Sequence, residues 1–264
     1  MEQTLLCADQ LLRCQRAKHL HASILPRPLA RSPGLLGWYR HLVKKWTSID
    51  KTLTFDGKTV SLDEHDGSYS IRVDGATLMS TREHGSEDKL AELACAHLKG
   101  KRRARILIGG LGFGFTLKTA LAAVAPDAEV VVAEILAAVI AWNRNPSFPL
   151  AADSLADPRV IVLRRDVREV IDESPGGFDA IILDVDNGPA ALSTAVNGRL
   201  YNRAGLLAAR AALRPKGCVA FWSAAPDPAF EKLLARAGFI VEVRNCRSRG
   251  NAGRRHTLLL GRVE

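Results

Sequence analysis

Between residues 50 and 80, short runs of alternating apolar and polar positions are separated by the pairs Asp56-Gly57, Asp66-Gly67 and Asp74-Gly75. Asp-Gly supplies the positive φ angles of tight hairpin turns, and Thr59–Glu64 and Tyr69–Val73 carry β-branched or aromatic residues. This stretch predicts a small antiparallel unit of four short strands. The spacing of Ser86–Leu98 predicts a helix, with Ser86 as its N-cap and Gly100 just past its end. From Arg105 the pattern becomes strand–helix alternation. Strands are predicted at Ile106–Ile108, Glu129–Ala133, Val160–Leu163, Ala180–Leu183 and Cys218–Trp222. Helices are predicted at Leu117–Val124, Leu136–Asn143, Val167–Ile171, Arg203–Leu213 and Pro228–Ala237. The helix from Arg203 is expected to end at Pro215, and the one from Pro228 at Gly238. Ile240–Val243 and His256–Gly261 complete the set as an antiparallel edge pair joined by a polar loop, Asn245–Arg255. Such alternation predicts an α/β fold: a Rossmann-like, mostly parallel sheet flanked by helices, preceded by a small N-terminal antiparallel β domain. The expected divisions are a loosely ordered extension at 1–48 with a short helix around Gln10–His21, a β domain at 49–84, and a nucleoside-binding domain at 85–264.

Composition leaves this picture intact. A chain of 264 residues has room for one large α/β domain and a satellite. Its 47% hydrophobic and 25% charged residues are the balance of a soluble globular protein. No apolar run reaches the roughly 18 residues that a membrane span requires. The five cysteines are scattered without a C-x-x-C pair, which supports neither a metal site nor a disulfide framework and fits a reducing cytoplasm. No secretory pattern opens the chain. The net charge of +9 gathers at Lys101–Arg105 and Arg244–Arg255. Such clusters can attract nucleic acid, but no aromatic residues interleave them, so a solvated surface is favoured.

The chemistry concentrates at predicted strand ends. Ile106–Ile108 runs into Gly109-Gly110-Leu111-Gly112-Phe113-Gly114, where glycines let the backbone turn sharply and approach a ligand. Glu134 ends the next strand about 20 residues on, where a carboxylate can accept from both ribose hydroxyls. Asp166, followed by Val167, sits after the third strand, where an acid can bind an adenine amino group. Each acid read singly is also a helix N-cap. The loop lacks the P-loop Lys-Ser/Thr, and its Gly110-x-Gly112-x-Gly114 spacing departs from the dinucleotide pattern. The fourth strand delivers Asp184-Val185-Asp186-Asn187-Gly188-Pro189, two carboxylates close enough to raise one pKa, as suits a general base. Trp142 and Trp222 read as core or pocket wall, and His256 as polar surface.

From about Lys51 onward the chain resembles the spermidine synthases, the polyamine aminopropyltransferases. The resemblance rests on the small β unit, Arg105–Gly114, Val131–Glu134, Asp157-Pro158-Arg159-Val160 ahead of Asp166, Phe178–Asp184, Leu200-Tyr201 and Arg214–Gly217. It implies an N-terminal β domain, a catalytic domain of the class I methyltransferase fold and a homodimer. By the same resemblance Gly110, Gly112, Gly114, Glu134, Asp166 and Val167 hold decarboxylated S-adenosylmethionine or S-adenosylmethionine, with no metal. Asp184 is implied as the base that activates the amine, with Asp186 standing in for a second acid. Glu83, Asn187 and Tyr201 are the implied contacts to a small amine. The family's loop aspartate, which meets the donor's amino group, falls here on Gly112 or Phe113. Its absence removes an anion that would repel the carboxylate of ordinary S-adenosylmethionine. Three readings therefore stand: aminopropyl transfer to a small amine, methyl transfer to a small molecule or nucleic acid, and a non-catalytic nucleoside-binding regulator. The chain has no Asn/Asp-Pro-Pro-Tyr/Phe motif, which counts against the nucleic-acid methyltransferases that act on exocyclic amines.

Overall fold

Two sheets meet along one edge of the molecule, and their shared boundary positions the site. The computed structural model describes residues 45–185 and 198–264. The expectations for the extension, the helix at Gln10–His21, Asp186 and Asn187 lie outside the described residues. The first sheet is an antiparallel meander of β1 (Thr47–Leu53), β2 (Thr59–His65), β3 (Ser68–Val73) and β4 (Ala76–Ser80), paired in that order. Asp66-Gly67 and Asp74-Gly75 take positive φ at both turn residues, the type I′ geometry that hairpins favour. At Asp56-Gly57 only the glycine does, within a wider turn closed by Thr54 and Lys58.

α1 (Gly85–Cys95) leads into the second sheet. It contains β5 (Arg105–Gly109), β6 (Glu129–Ala133), β7 (Val160–Leu163), β8 (Phe178–Leu183), β9 (Leu213–Ser223), β10 (Ile240–Arg249) and β11 (Ala252–Arg262). The helices between them are α2 (Phe115–Ala123), α3 (Ala137–Arg144), α4 (Ala152–Leu155), α5 (Val167–Asp172), α6 (Gly198–Tyr201), α7 (Arg203–Ala212) and α8 (Pro228–Arg236). The spatial order is β10-β11-β9-β8-β5-β6-β7, with β5 to β9 parallel and β11 and β10 antiparallel at the edge. The chain winds outward from β5 through β6 to β7, then restarts at β8 on the other side. That reversal opens a crevice between the carboxyl ends of β5 and β8.

Alternation along the strands divides the core in two. Ile106, Ile108, Val130, Ile182 and Ala220 face α1, α2 and α3, whereas Leu107, Val131, Ile181, Val219 and Phe221 face α5, α7 and α8. Val60, Leu62, Tyr69 and Ile71 of the small sheet belong to the first of these clusters. Apolar burial is thus continuous across both sheets within the unit Lys45–Glu264.

Several sequence expectations change. His84, not Ser86, holds the N-cap position of α1, without a side-chain cap bond, and α7 ends at Ala212, one residue short of the expected Leu213, where the chain turns extended. The supposed loop Asn245–Arg255 is largely a β-ladder, with Asn245 opposite Thr257, Cys246 opposite His256 and Arg247 opposite Arg255. These strands extend past the core, so their backbone pairs without an apolar face to mark it. His256 is no plain surface residue: its ring lies 4.7 Å from that of Trp222, and burial pushes its pKa down. The basic cluster Lys101–Arg105 is locally neutralised. Lys101 pairs with buried Asp179 at 2.7 Å, Arg102 with Asp127, and Arg105 with Glu129. Among the described residues no helix is long and apolar enough to cross a membrane.

Candidate functional site

A cavity of about 210 Å³ lies at the crevice, with the carboxyl ends of the parallel strands as its floor and the small sheet as its roof. Following the strand order, the floor presents Trp222 from β9, Asp184 and Val185 after β8, Gly110 and Gly112 after β5, Glu134 to Leu136 after β6, and Arg165 to Val167 after β7. The roof contributes Val60, Ile71, Val73, Leu78 and Met79, with the β1–β2 turn at its rim. The ingredients match a nucleoside: apolar walls, a tight backbone turn and convergent carboxylates.

The glycine loop is fixed by close approach. Gly110 has φ +86°, and a Cβ there would lie 2.5 Å from the Asp184 carbonyl oxygen. Its amide donates to the Ala133 carbonyl, and the Asp184 amide donates to that of Gly109, so β5, β6 and β8 converge at this point. Gly112 has φ +51°, with the Met79 thioether filling the space a side chain would occupy. Gly114 caps α2 in the left-handed region, packed on Ala151, and lies outside the cavity lining.

Glu134 is buried, and its two oxygens accept from the amides of Leu111 and Leu136 at 2.9 and 2.8 Å. Burial pushes its pKa up, while those amides pull the other way. The amides of Ile135 and Gly112 act on the same carboxylate in the same direction. Asp166 caps α5 through the Arg168 amide and pairs with Arg199 at 2.8 Å. The N-cap reading of this residue is therefore real, and it coexists with a place in the cavity wall beside Val167.

Asp184 sits at the switch point, half-buried, with the Thr116 hydroxyl donating to it at 3.1 Å. Burial raises its pKa to about 6, against the pull of Thr116. Beside it the cavity holds a second acid that the sequence reading passed over. Glu87, 7% exposed, has its pKa raised to about 7, first by burial and then by the charge of Asp184. Ser86 donates to its carboxylate. A signal for Glu87 exists: it shares the buried face of α1 with Leu90, Ala91 and Ala94, at spacings of three, four and seven residues. An acid in a helix's first turn otherwise reads as a partner of the helix dipole.

Two expected substrate contacts are not brought to the cavity. Glu83 pairs with Arg249 at 3.6 Å and accepts from Ser248, fastening the end of the small sheet to β10. Tyr201 is buried in the second core cluster, 6.0 Å from Phe221 and 5.8 Å from Phe230 between ring centroids. Trp222 does line the cavity, and its indole nitrogen is buried without a hydrogen-bond partner among the described residues.

No protein-family model matches the chain, and no curated protein sequence does. Solved structures do match. A spermidine synthase in complex with the transition state analogue AdoDATO superposes with a TM-score of 0.64 at 17% identity, over 82% of this chain and 72% of that one. The spermidine synthase of Thermotoga maritima gives the same values. A probable spermidine synthase from Corynebacterium glutamicum gives a TM-score of 0.57 at 16% identity, over 82% and 79% of the two chains. The fold is spermidine synthase-like.

Proposed function

We propose that the protein is a transferase that binds an S-adenosylmethionine-type nucleoside and moves an aminopropyl group from its decarboxylated form to a small amine, with Asp184 as the base. The observation that carries this reading is Asp184 itself: a half-buried carboxylate at the switch point, lining the cavity beside the glycine loop and two strands from Glu134. Across the floor, the ribose would lie over Glu134 and the adenine between Val167 and Ile135, near Asp166. The sulfonium would then lie toward β8. The likeness in fold to a spermidine synthase held with a transition state analogue supports transfer chemistry at this crevice.

The reaction asks little covalent work of the protein. An amine nitrogen attacks the carbon next to the sulfonium, the C–S bond breaks, and its electrons neutralise the sulfur, leaving methylthioadenosine. The nitrogen must shed a proton, which Asp184 accepts. Thr116 orients the carboxylate, and positioning supplies most of the acceleration. A base whose pKa is raised toward neutrality is well matched to this transfer.

The test is release of methylthioadenosine from decarboxylated S-adenosylmethionine and a short diamine. Asp184→Asn is expected to lower turnover by about 10²- to 10⁴-fold while leaving nucleoside affinity, read by calorimetry, unchanged. Formation of S-adenosylhomocysteine from ordinary S-adenosylmethionine in place of methylthioadenosine would assign methyl transfer instead. Binding of neither nucleoside would remove both enzymatic readings.

A further inference from the structure

Resting on the transferase reading above, we infer that Glu87 selects the donor: its carboxylate holds the cationic tail of decarboxylated S-adenosylmethionine and rejects the ordinary form, whose tail also carries a carboxylate. The distribution of charge along the cavity supports this. Among the described residues its lining cations are Arg165 and Lys58. Arg165 follows β7, three strands from β8 in the sheet order, which at about 4.8 Å per strand puts it roughly 14 Å from Asp184. Its guanidinium is also engaged by Glu169 and Glu173. Lys58 lies on the β1–β2 turn, 3.4 Å from Asp56. At the β8–β9 end, the charged lining groups among the described residues are Glu87 and Asp184.

Among the described residues, an anionic tail would find no complement at that end. The Leu111 amide donates to Glu134, and the Gly112 amide acts on the same carboxylate. The space beside Gly112 holds the Met79 thioether, which offers nothing to a carboxylate. A primary ammonium has the opposite fit. Glu87 is a buried acid that an adjacent cation would satisfy, and α1 holds it rigidly by packing on α2 and β9. Two acids at this end also divide the work: Asp184 faces the reacting nitrogen and Glu87 the donor's tail.

Calorimetry of the wild type and Glu87→Gln, each with decarboxylated S-adenosylmethionine, S-adenosylmethionine and methylthioadenosine, tests the assignment. The wild type is expected to prefer the decarboxylated donor by about tenfold or more, the worth of one charge-assisted hydrogen bond. Glu87→Gln should lose that preference yet bind methylthioadenosine, which has no tail, as the wild type does. Glu87→Asp should keep part of the preference. An unchanged ratio in Glu87→Gln, or a wild type that prefers ordinary S-adenosylmethionine, overturns the role of Glu87 and leaves nucleoside binding intact. Loss of methylthioadenosine binding in Glu87→Gln also overturns it, because the residue would then hold the cavity wall and not the tail. A wild type that binds none of the three nucleosides refutes the transferase reading itself.

Discussion

The two acids beside the glycine loop couple the protein's stability to pH in an unusual direction. Asp184 and Glu87 titrate near 6 and near 7 in the folded chain, against ordinary values of 3.8 and 4.5, with burial as the leading cause for both. A raised carboxyl pKa means that folding favours the protonated form. The stabilisation is complete below about pH 4 and is lost as pH rises through the folded values. His97 and His256, whose pKa values burial pushes down, act oppositely in part of the same range, so the wild-type profile alone is ambiguous. The difference between variants removes them. Thermal midpoints of the wild type should fall relative to those of an Asp184→Asn, Glu87→Gln double variant between about pH 4 and about pH 7. A constant difference would mean that the acids are not desolvated as described. Residues of this kind are unevenly legible in sequence. Glu134 and Asp184 announce themselves because each ends an apolar strand, the place where open sheets bind ligands. Glu87 hides in a helix, where only its phase with Leu90 and Ala94 sets it apart, and Glu83, four residues earlier, attracts the attention instead.

At the level of elements, close packing explains why the glycine loop was readable and the C-terminal hairpin was not. Gly110 combines a positive φ with a neighbouring strand in contact, so Gly110→Ala must move either the loop or the Asp184 backbone. Its expected cost is about 1–3 kcal/mol in denaturant unfolding, with nucleoside affinity falling at least about tenfold. Gly67→Ala is the control. Gly67 has φ +74° with nothing within 4 Å of the added carbon, so backbone strain of about 1 kcal/mol should appear without any change in nucleoside affinity. Equal effects on affinity would refute the claim that the Gly110 contact shapes the site. A glycine cluster after an apolar strand carries this information in its composition. The β10–β11 hairpin carries no such mark, because its arginine-rich length projects beyond the core and gains order from backbone pairing and from Glu83. The same blindness applies to the start of β9, where Arg214-Pro215 looks like a helix terminus and is a bulged strand.

At the scale of the whole fold, the cavity exists because the two sheets share an apolar core, and one side-chain hydrogen bond also spans them. The indole nitrogen of Trp142, on α3, donates to Asp50 of β1 at 2.7 Å, linking an edge strand of the small sheet to a helix that covers the larger one. Trp142 is 3% exposed, so loss of its acceptor would leave a donor enclosed without a partner. A hydrogen bond to a charged acceptor is worth about 1.5–3 kcal/mol, and Asp50→Ala should destabilise the protein by about that amount. Asp50→Asn retains a side-chain oxygen and should recover part of it. Because Val60, Leu62, Tyr69 and Ile71 share their core cluster with Leu90 and Ile108, the small sheet is not expected to melt by itself. Tryptophan fluorescence and far-ultraviolet circular dichroism of Asp50→Ala should therefore lose signal in coincident transitions, shifted together to lower denaturant. The roof residues Leu78 and Met79 depend on the same register, so nucleoside affinity should weaken along with stability. Separate transitions for the two probes would show that the sheets fold independently, and the cavity would then have to be assembled by the ligand.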